Sequence, residues 1–155
     1  DENEGSSVRH ANLGTAIVER REVEQYFWSE RTVYMLMSAI ADMGNVGCLT
    51  TPALAQALHD EGYTDVALLD IDERFASLPG FQHFDLLKPI AHSQKFDVIV
   101  FDPPFFYIPL EQLKKAVLTL THGRTNVPFL IAFLAREEAK LLNVFRDFGL
   151  CRTKF

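Results

Sequence analysis

Two kinds of hydrophobic pattern alternate along the chain. Val66-Ala67-Leu68-Leu69 and Val98-Ile99-Val100-Phe101 are apolar on both faces, as strands of a sheet covered on both sides must be. Shorter runs at 46–49 and 81–84 fit further strands of that kind, the clearest strand spans 96–101, and 127–134 is strand-like. Between these runs the apolar positions recur at helical spacing. Val33, Leu36, Met37 and Ile40 share one face, with Ser29 placed to cap the helix start and Gly44 to stop it. Thr50-Thr51-Pro52 opens a second helix with proline in its first turn, Leu54 and Leu58 on one face, and an end near Gly62. A short helical turn is expected at 73–78, closed by Pro79-Gly80, with longer helices at 110–120 and 136–145 and a last strand starting in 150–155. Strands and helices in this alternation predict an α/β domain with a mostly parallel, doubly wound sheet. Its ligands are expected outside the carboxyl ends of the strands.

Composition narrows the picture. The 155 residues suit one domain with a sizeable core, and no repeat or linker divides it. With 48% hydrophobic and 23% charged residues the balance is that of a soluble globular protein. A formal charge of −6 argues against a broad electrostatic grip on nucleic acid, leaving a local patch or a partner subunit to supply one. No apolar run reaches membrane-spanning length and no signal peptide opens the chain. The start, Asp-Glu-Asn-Glu-Gly-Ser-Ser without Met, reads as that of a processed or cut-down product, and 1–24 as a flexible segment ahead of a domain at 25–155. Cys48 and Cys151, far apart in apolar strand-like contexts, read as buried free thiols in a reducing compartment. The cytoplasm is expected, with the nucleus as the alternative. His59, His83, His92 and His122 show no metal-ligand spacing with the cysteines, so no metal site is expected.

Candidate chemistry lies where the strands end. Asp70 and Asp72 follow the second strand, Asp85 the third and Asp102 the fourth. An acid after the second strand is where a nucleoside ribose is gripped. Asp72 equally reads as the cap of the turn that begins at Glu73, and Asp85 as ordinary loop chemistry. Asp102 stands out, because Asp-Pro-Pro followed by Phe105 and Phe106 is an unusual way to leave a strand. No glycine-rich phosphate loop follows the first strand, which disfavours dinucleotide and nucleoside-triphosphate enzymes and leaves a nucleoside ligand without phosphates open.

Asp102-Pro103-Pro104-Phe105 resembles the motif of S-adenosylmethionine-dependent methyltransferases that act on amino nitrogens. Gln25-Tyr26-Phe27-Trp28-Ser29, Cys48-Leu49-Thr50-Thr51-Pro52, the run from Leu68 to Phe75, and Phe84-Asp85 fall in matching order. The series is similar to the probable N6-adenine methyltransferase family, which includes elongation-factor lysine methyltransferases and the zinc-knuckle ribosomal-RNA adenine methyltransferase. The resemblance spans roughly 25–155, and that family also lacks the glycine-rich loop. It implies a Rossmann-like class I fold with S-adenosylmethionine as methyl donor. Asp70 would bind the donor's ribose and Asp85 its adenine amino group. Thr50, Thr51 and Pro52 would shape the donor pocket, and Gln25, Phe27 and Trp28 would form a lid. Asp102, Pro103, Pro104 and Phe105 would hold the substrate amine, with Phe105 at the site and Phe106 in the core. For Tyr26 and Phe27, and for Trp28, packing on the core at the helix entry is the competing reading. The substrate would be adenine in nucleic acid, RNA ahead of DNA, or a protein lysine; a methyltransferase-like binding module without turnover is a further alternative. The family pattern continues beyond this chain's last residue, so C-terminal strands are expected to be missing.

Overall fold

The computed structural model describes residues 17–154. The strands are β1 (Val46–Leu49), β2 (Val66–Asp70), β3 (Phe81–His83), β4 (Val98–Phe101) and β5 (Phe129–Ile131). They form a single sheet in the order β3-β2-β1-β4-β5, with every neighbouring pair parallel. The helices are α1 (Glu30–Ile40), α2 (Pro52–Asp60), α3 (Leu110–Leu120) and α4 (Glu138–Val144), joined by short 3-10 turns. The chain steps outward from β1 to β3, then crosses back to β4 and steps outward again to β5. The direction therefore reverses between β1 and β4, and this is the crevice where ligands bind in such sheets.

Side-chain alternation splits each strand between two cores. Val46, Cys48, Val66, Leu68, Val98 and Val100 face α1 and α2, packing on Val33, Ile40, Leu54 and Leu58. Leu49, Ala67, Leu69, Ile99 and Phe101 face the other way, onto Leu113, Val117, Leu141 and Phe145. Removing one such leucine from water stabilises the fold by about 1.5–3 kcal/mol, which explains why strands this short persist.

Local chemistry sets the element ends. The Ser29 hydroxyl accepts from the Thr32 amide at 3.3 Å, capping α1, and Pro52 occupies the first turn of α2. Helix α1 stops at Ile40, and the chain turns into β1 through Gly44 at φ +82°, where a Cβ would lie 2.5 Å from Asp97 Oδ2. That oxygen accepts from the Asn45 amide at 2.8 Å, so a side chain at Gly44 would break the turn. Asp72 caps the 3-10 turn Glu73–Phe75, as one reading of its position expects.

Several expectations need correction. Residues 150–154 form no strand; none of the described strands pairs with them. Cys151 is consequently exposed, while Cys48 in β1 is buried. Phe106 is not a core residue; it is 70% exposed, because Pro104 and Phe105 carry the chain out of β4 toward the surface. The strand expected at 127–134 is confined to Phe129–Ile131, and 136–145 divides into the 3-10 turn Ala135–Glu137 and α4. Residues 1–16 of the segment expected to be flexible lie outside the described residues.

Candidate active site at the sheet crossover

The carboxyl ends of β1 and β4 are held together by the residues that leave them. Leu49 pairs with Phe101, so Thr50 and Asp102 emerge side by side. The Asp102 amide donates to the Leu49 carbonyl at 3.3 Å, the Thr50 amide donates to the Leu69 carbonyl at 2.9 Å, and Thr50 Oγ1 lies 2.7 Å from the Asp102 carbonyl. Thr50 has φ +55°, a left-handed conformation that costs a β-branched residue of the order of 1–3 kcal/mol. Strain of this kind persists only where surrounding bonds over-determine it, and here three strands converge on the residue.

The Asp102 side chain is half-buried, with the Trp28 indole close to its carboxylate. Burial pushes its carboxyl up to about 7, and the Trp28 bond offsets only part of that. Pro103 is buried and Pro104 half-buried, so the loop after β4 is fixed by two restricted φ angles and offers no amide donors at either position. Phe105 is half-buried, edge-on to Phe133 with centroids 5.0 Å apart and edge-on to Phe106 at 6.4 Å.

Asp70 ends β2, one strand over from Thr50. It is only 6% exposed, and its Oδ1 accepts from the Asp72 amide at 2.9 Å. Burial pushes this carboxyl up to about 6 despite that bond. After β1, the Thr51 hydroxyl is buried with no oxygen or nitrogen partner; its neighbour is the Cys48 thiol, which burial pushes up to about 12 and so keeps unreactive. Pro52 is buried in the first turn of α2. A buried carboxylate at the end of β2, one strand from the switch in strand order, suits a ligand rich in hydroxyl and amino donors.

The other residues singled out in the sequence divide. Asp85 is half-buried and its Oδ1 accepts from the Leu87 amide at 2.8 Å, closing the loop after β3. Phe27 lies edge-on to Phe75 at 6.2 Å, against the core around α1 and α2. Trp28 packs on the same core, as the competing reading of its position expects, with its indole close to Asp102. Gln25 donates to Asp72 Oδ2 at 3.0 Å and accepts from Arg74 Nη2 at 2.7 Å.

Arg74 is the residue that local sequence reasoning passed over. Its guanidinium makes a fork on Asp72, with contacts of 2.6–3.0 Å, and also donates to the Gln25 side chain and to the Val18 carbonyl at 2.9 Å. Burial raises the Asp72 carboxyl, but the hydrogen bonds from Arg74 and Gln25 outweigh it and hold the group at about 2. On the far side, Glu24 accepts from the Phe106 amide at 2.9 Å and the Tyr107 hydroxyl donates to the Glu22 carbonyl. Residues 18–25 thus form a strap whose two ends, Val18 and Gln25, are bonded to Arg74 in the loop after β2, and whose Glu22 and Glu24 between them are bonded to the loop after β4. Only the acids and the arginine are visible in the sequence; their partners lie many residues away along the chain.

Among the described residues no group of histidines, cysteines and acids is placed to hold a metal ion, and no helix is long and apolar enough to cross a membrane. No curated protein matches the chain. Residues 19–153 match the family model described as "Probable N6-adenine methyltransferase", which takes in every strand and helix of the fold and both acids at the crossover, and the chain therefore belongs to the probable N6-adenine methyltransferase family.

Proposed function

We propose that the protein is an S-adenosylmethionine-dependent N-methyltransferase acting on the exocyclic amine of adenine, in RNA ahead of DNA. The observation that carries this reading is the position of Asp102-Pro103-Pro104-Phe105 at the crossover, one strand from Thr50 and two from the buried Asp70.

Asp70 and the unpartnered Thr51 hydroxyl would hold the donor, with Asp85 and the Trp28 side of the strap as further contacts. When bound, S-adenosylmethionine supplies a methyl group made electrophilic by its sulfonium. The chain's own task is to present the nitrogen. An adenine amine is a poor nucleophile because its lone pair is delocalised into the ring. The Asp102 carboxylate and the Pro103 carbonyl accept its two N–H groups, favour a pyramidal nitrogen and aim the lone pair. Phe105 provides an aromatic face for the base, braced from behind by Phe133. The Trp28 indole keeps the Asp102 carboxylate oriented and shields it from water.

A second reading draws on the same carboxylate. An acid poised at about 7 is suited to take the proton of a lysine ammonium, with Phe105 supplying cation–π attraction to the charge. Calorimetric titration with S-adenosylmethionine followed by transfer of a tritiated methyl group to total RNA and to total protein distinguishes the readings. Donor binding and label in RNA support the first, label in protein alone supports the second, and absence of donor binding removes both.

A further inference from the structure

The loop after Asp102 leaves two large aromatic rings at the surface with no core to fill. Phe106 is 70% and Tyr107 61% exposed. Neither is loosely held. The Phe106 amide is fixed by Glu24 Oε2 at 2.9 Å, its ring stands edge-on to Phe105, and the Tyr107 hydroxyl is fixed to the strap at the Glu22 carbonyl. Next to them is a cavity of about 510 Å³, floored by Phe105, Phe106 and Phe133 and bordered by Arg136 and Lys140. Lys140 is paired with Glu137 at 2.7 Å, and Glu111 adds one more negative charge to the wall. Arg136 makes no ion pair among the described residues.

We infer that Phe106 and Tyr107 form a stacking platform for a nucleotide flanking the target adenine in a single strand, with Arg136 meeting one of its phosphates. This rests on the adenine reading above and extends it to how the strand is held. Stacking needs no charge, because every base has a π face, and so it reconciles nucleic-acid binding with a chain of net charge −6. One phosphate contact releases few counterions, so binding should depend on salt only weakly, with a slope near −0.7 for a single strand. Pre-organisation by the strap holds both rings outward: the backbone of Phe106 and the hydroxyl of Tyr107 are each bonded to it. A protein lysine would need neither a flat exposed ring beyond Phe105 nor a cation at the cavity edge.

The test is fluorescence anisotropy with a labelled, short single-stranded RNA containing one adenine, at several salt concentrations. Phe106→Ala is expected to weaken binding by about 5- to 150-fold, the loss of one base stack. Phe106→Trp should restore it, and Arg136→Ala should reduce the salt slope by about 0.7. Affinity for S-adenosylmethionine should be the same in all three variants, which also establishes that they are folded. If wild type binds and methylates the RNA but Phe106→Ala binds it equally well, the platform is refuted while the adenine reading stands. If wild type binds no single-stranded RNA at all, or label goes only to protein, both fall.

Discussion

Replacing Asp102 by asparagine is expected to stabilise the protein while removing its transfer chemistry. The carboxyl is half-buried at the crossover and raised from 3.8 to about 7. In the unfolded chain it ionises near its ordinary value. The folded state therefore binds the extra proton between those two values, and stability falls as pH rises through that window. Below about pH 4 the group is neutral in both states and costs nothing. Above about pH 7 it is charged in both, and the folded state bears the full difference, about 4 kcal/mol. Asparagine has the same shape, carries no charge at any pH and still accepts from the Trp28 indole. The variant should thus match wild type near pH 4 and exceed it by up to about 4 kcal/mol at pH 8. For a chain of this size that is a rise of about 8–16 °C in Tm at most.

Urea unfolding of both proteins from pH 4 to pH 8 measures the gap directly, and its growth with pH is the signature of the buried acid. Wild-type kcat/KM should rise through about pH 7 as the carboxylate forms, and the variant should show neither that limb nor appreciable transfer. A stability gap that is the same at pH 4 and pH 8, or a variant less stable than wild type at pH 8, would refute the reasoning.

Asp70→Asn should weaken S-adenosylmethionine binding by about 10- to 150-fold, the range of a hydrogen bond to a charged group, and wild-type affinity should decline below about pH 6 as Asp70 takes up its proton; calorimetry checks both, and unchanged affinity contradicts the donor site. Arg74→Ala removes the fork on Asp72 and the bonds to Gln25 and Val18, so trypsin should cut faster at Arg20 and Arg21 in the strap, and an unaltered cleavage rate would mean that Arg74 does not hold it. Leu54→Ala, at a fully buried position of α2, should cost about 2–5 kcal/mol in urea unfolding without changing the pH dependence of stability.

Much of this was legible in the sequence because it is local. Apolar runs with no polar face can only be covered strands, and the acids that end them at Asp70 and Asp102 mark the carboxyl edge of the sheet. Ser29 and Pro52 announce helix starts through bonds made within a turn. What escaped depends on partners far along the chain. The run from Leu150 onward looks like the start of a strand by composition, but a strand also needs a partner, and none of the described strands pairs with it. Arg74 carries no motif, and its bonds to Gln25 and Val18 span 49 and 56 residues. Two adjacent aromatics at 105–106 suggest a core, whereas the chain leaves β4 toward the surface through Pro104 and Phe105 and leaves Phe106 exposed.

The central claim is that the crossover site methylates the adenine amine with Asp102 as its acceptor. RNA incubated with the protein and isotope-labelled S-adenosylmethionine, digested to nucleosides and resolved by mass spectrometry, tests it most directly. Labelled N6-methyladenosine with wild type, absent with Asp102→Ala, is the predicted result. Label found only in protein, or N6-methyladenosine formed equally well by Asp102→Ala, would contradict it.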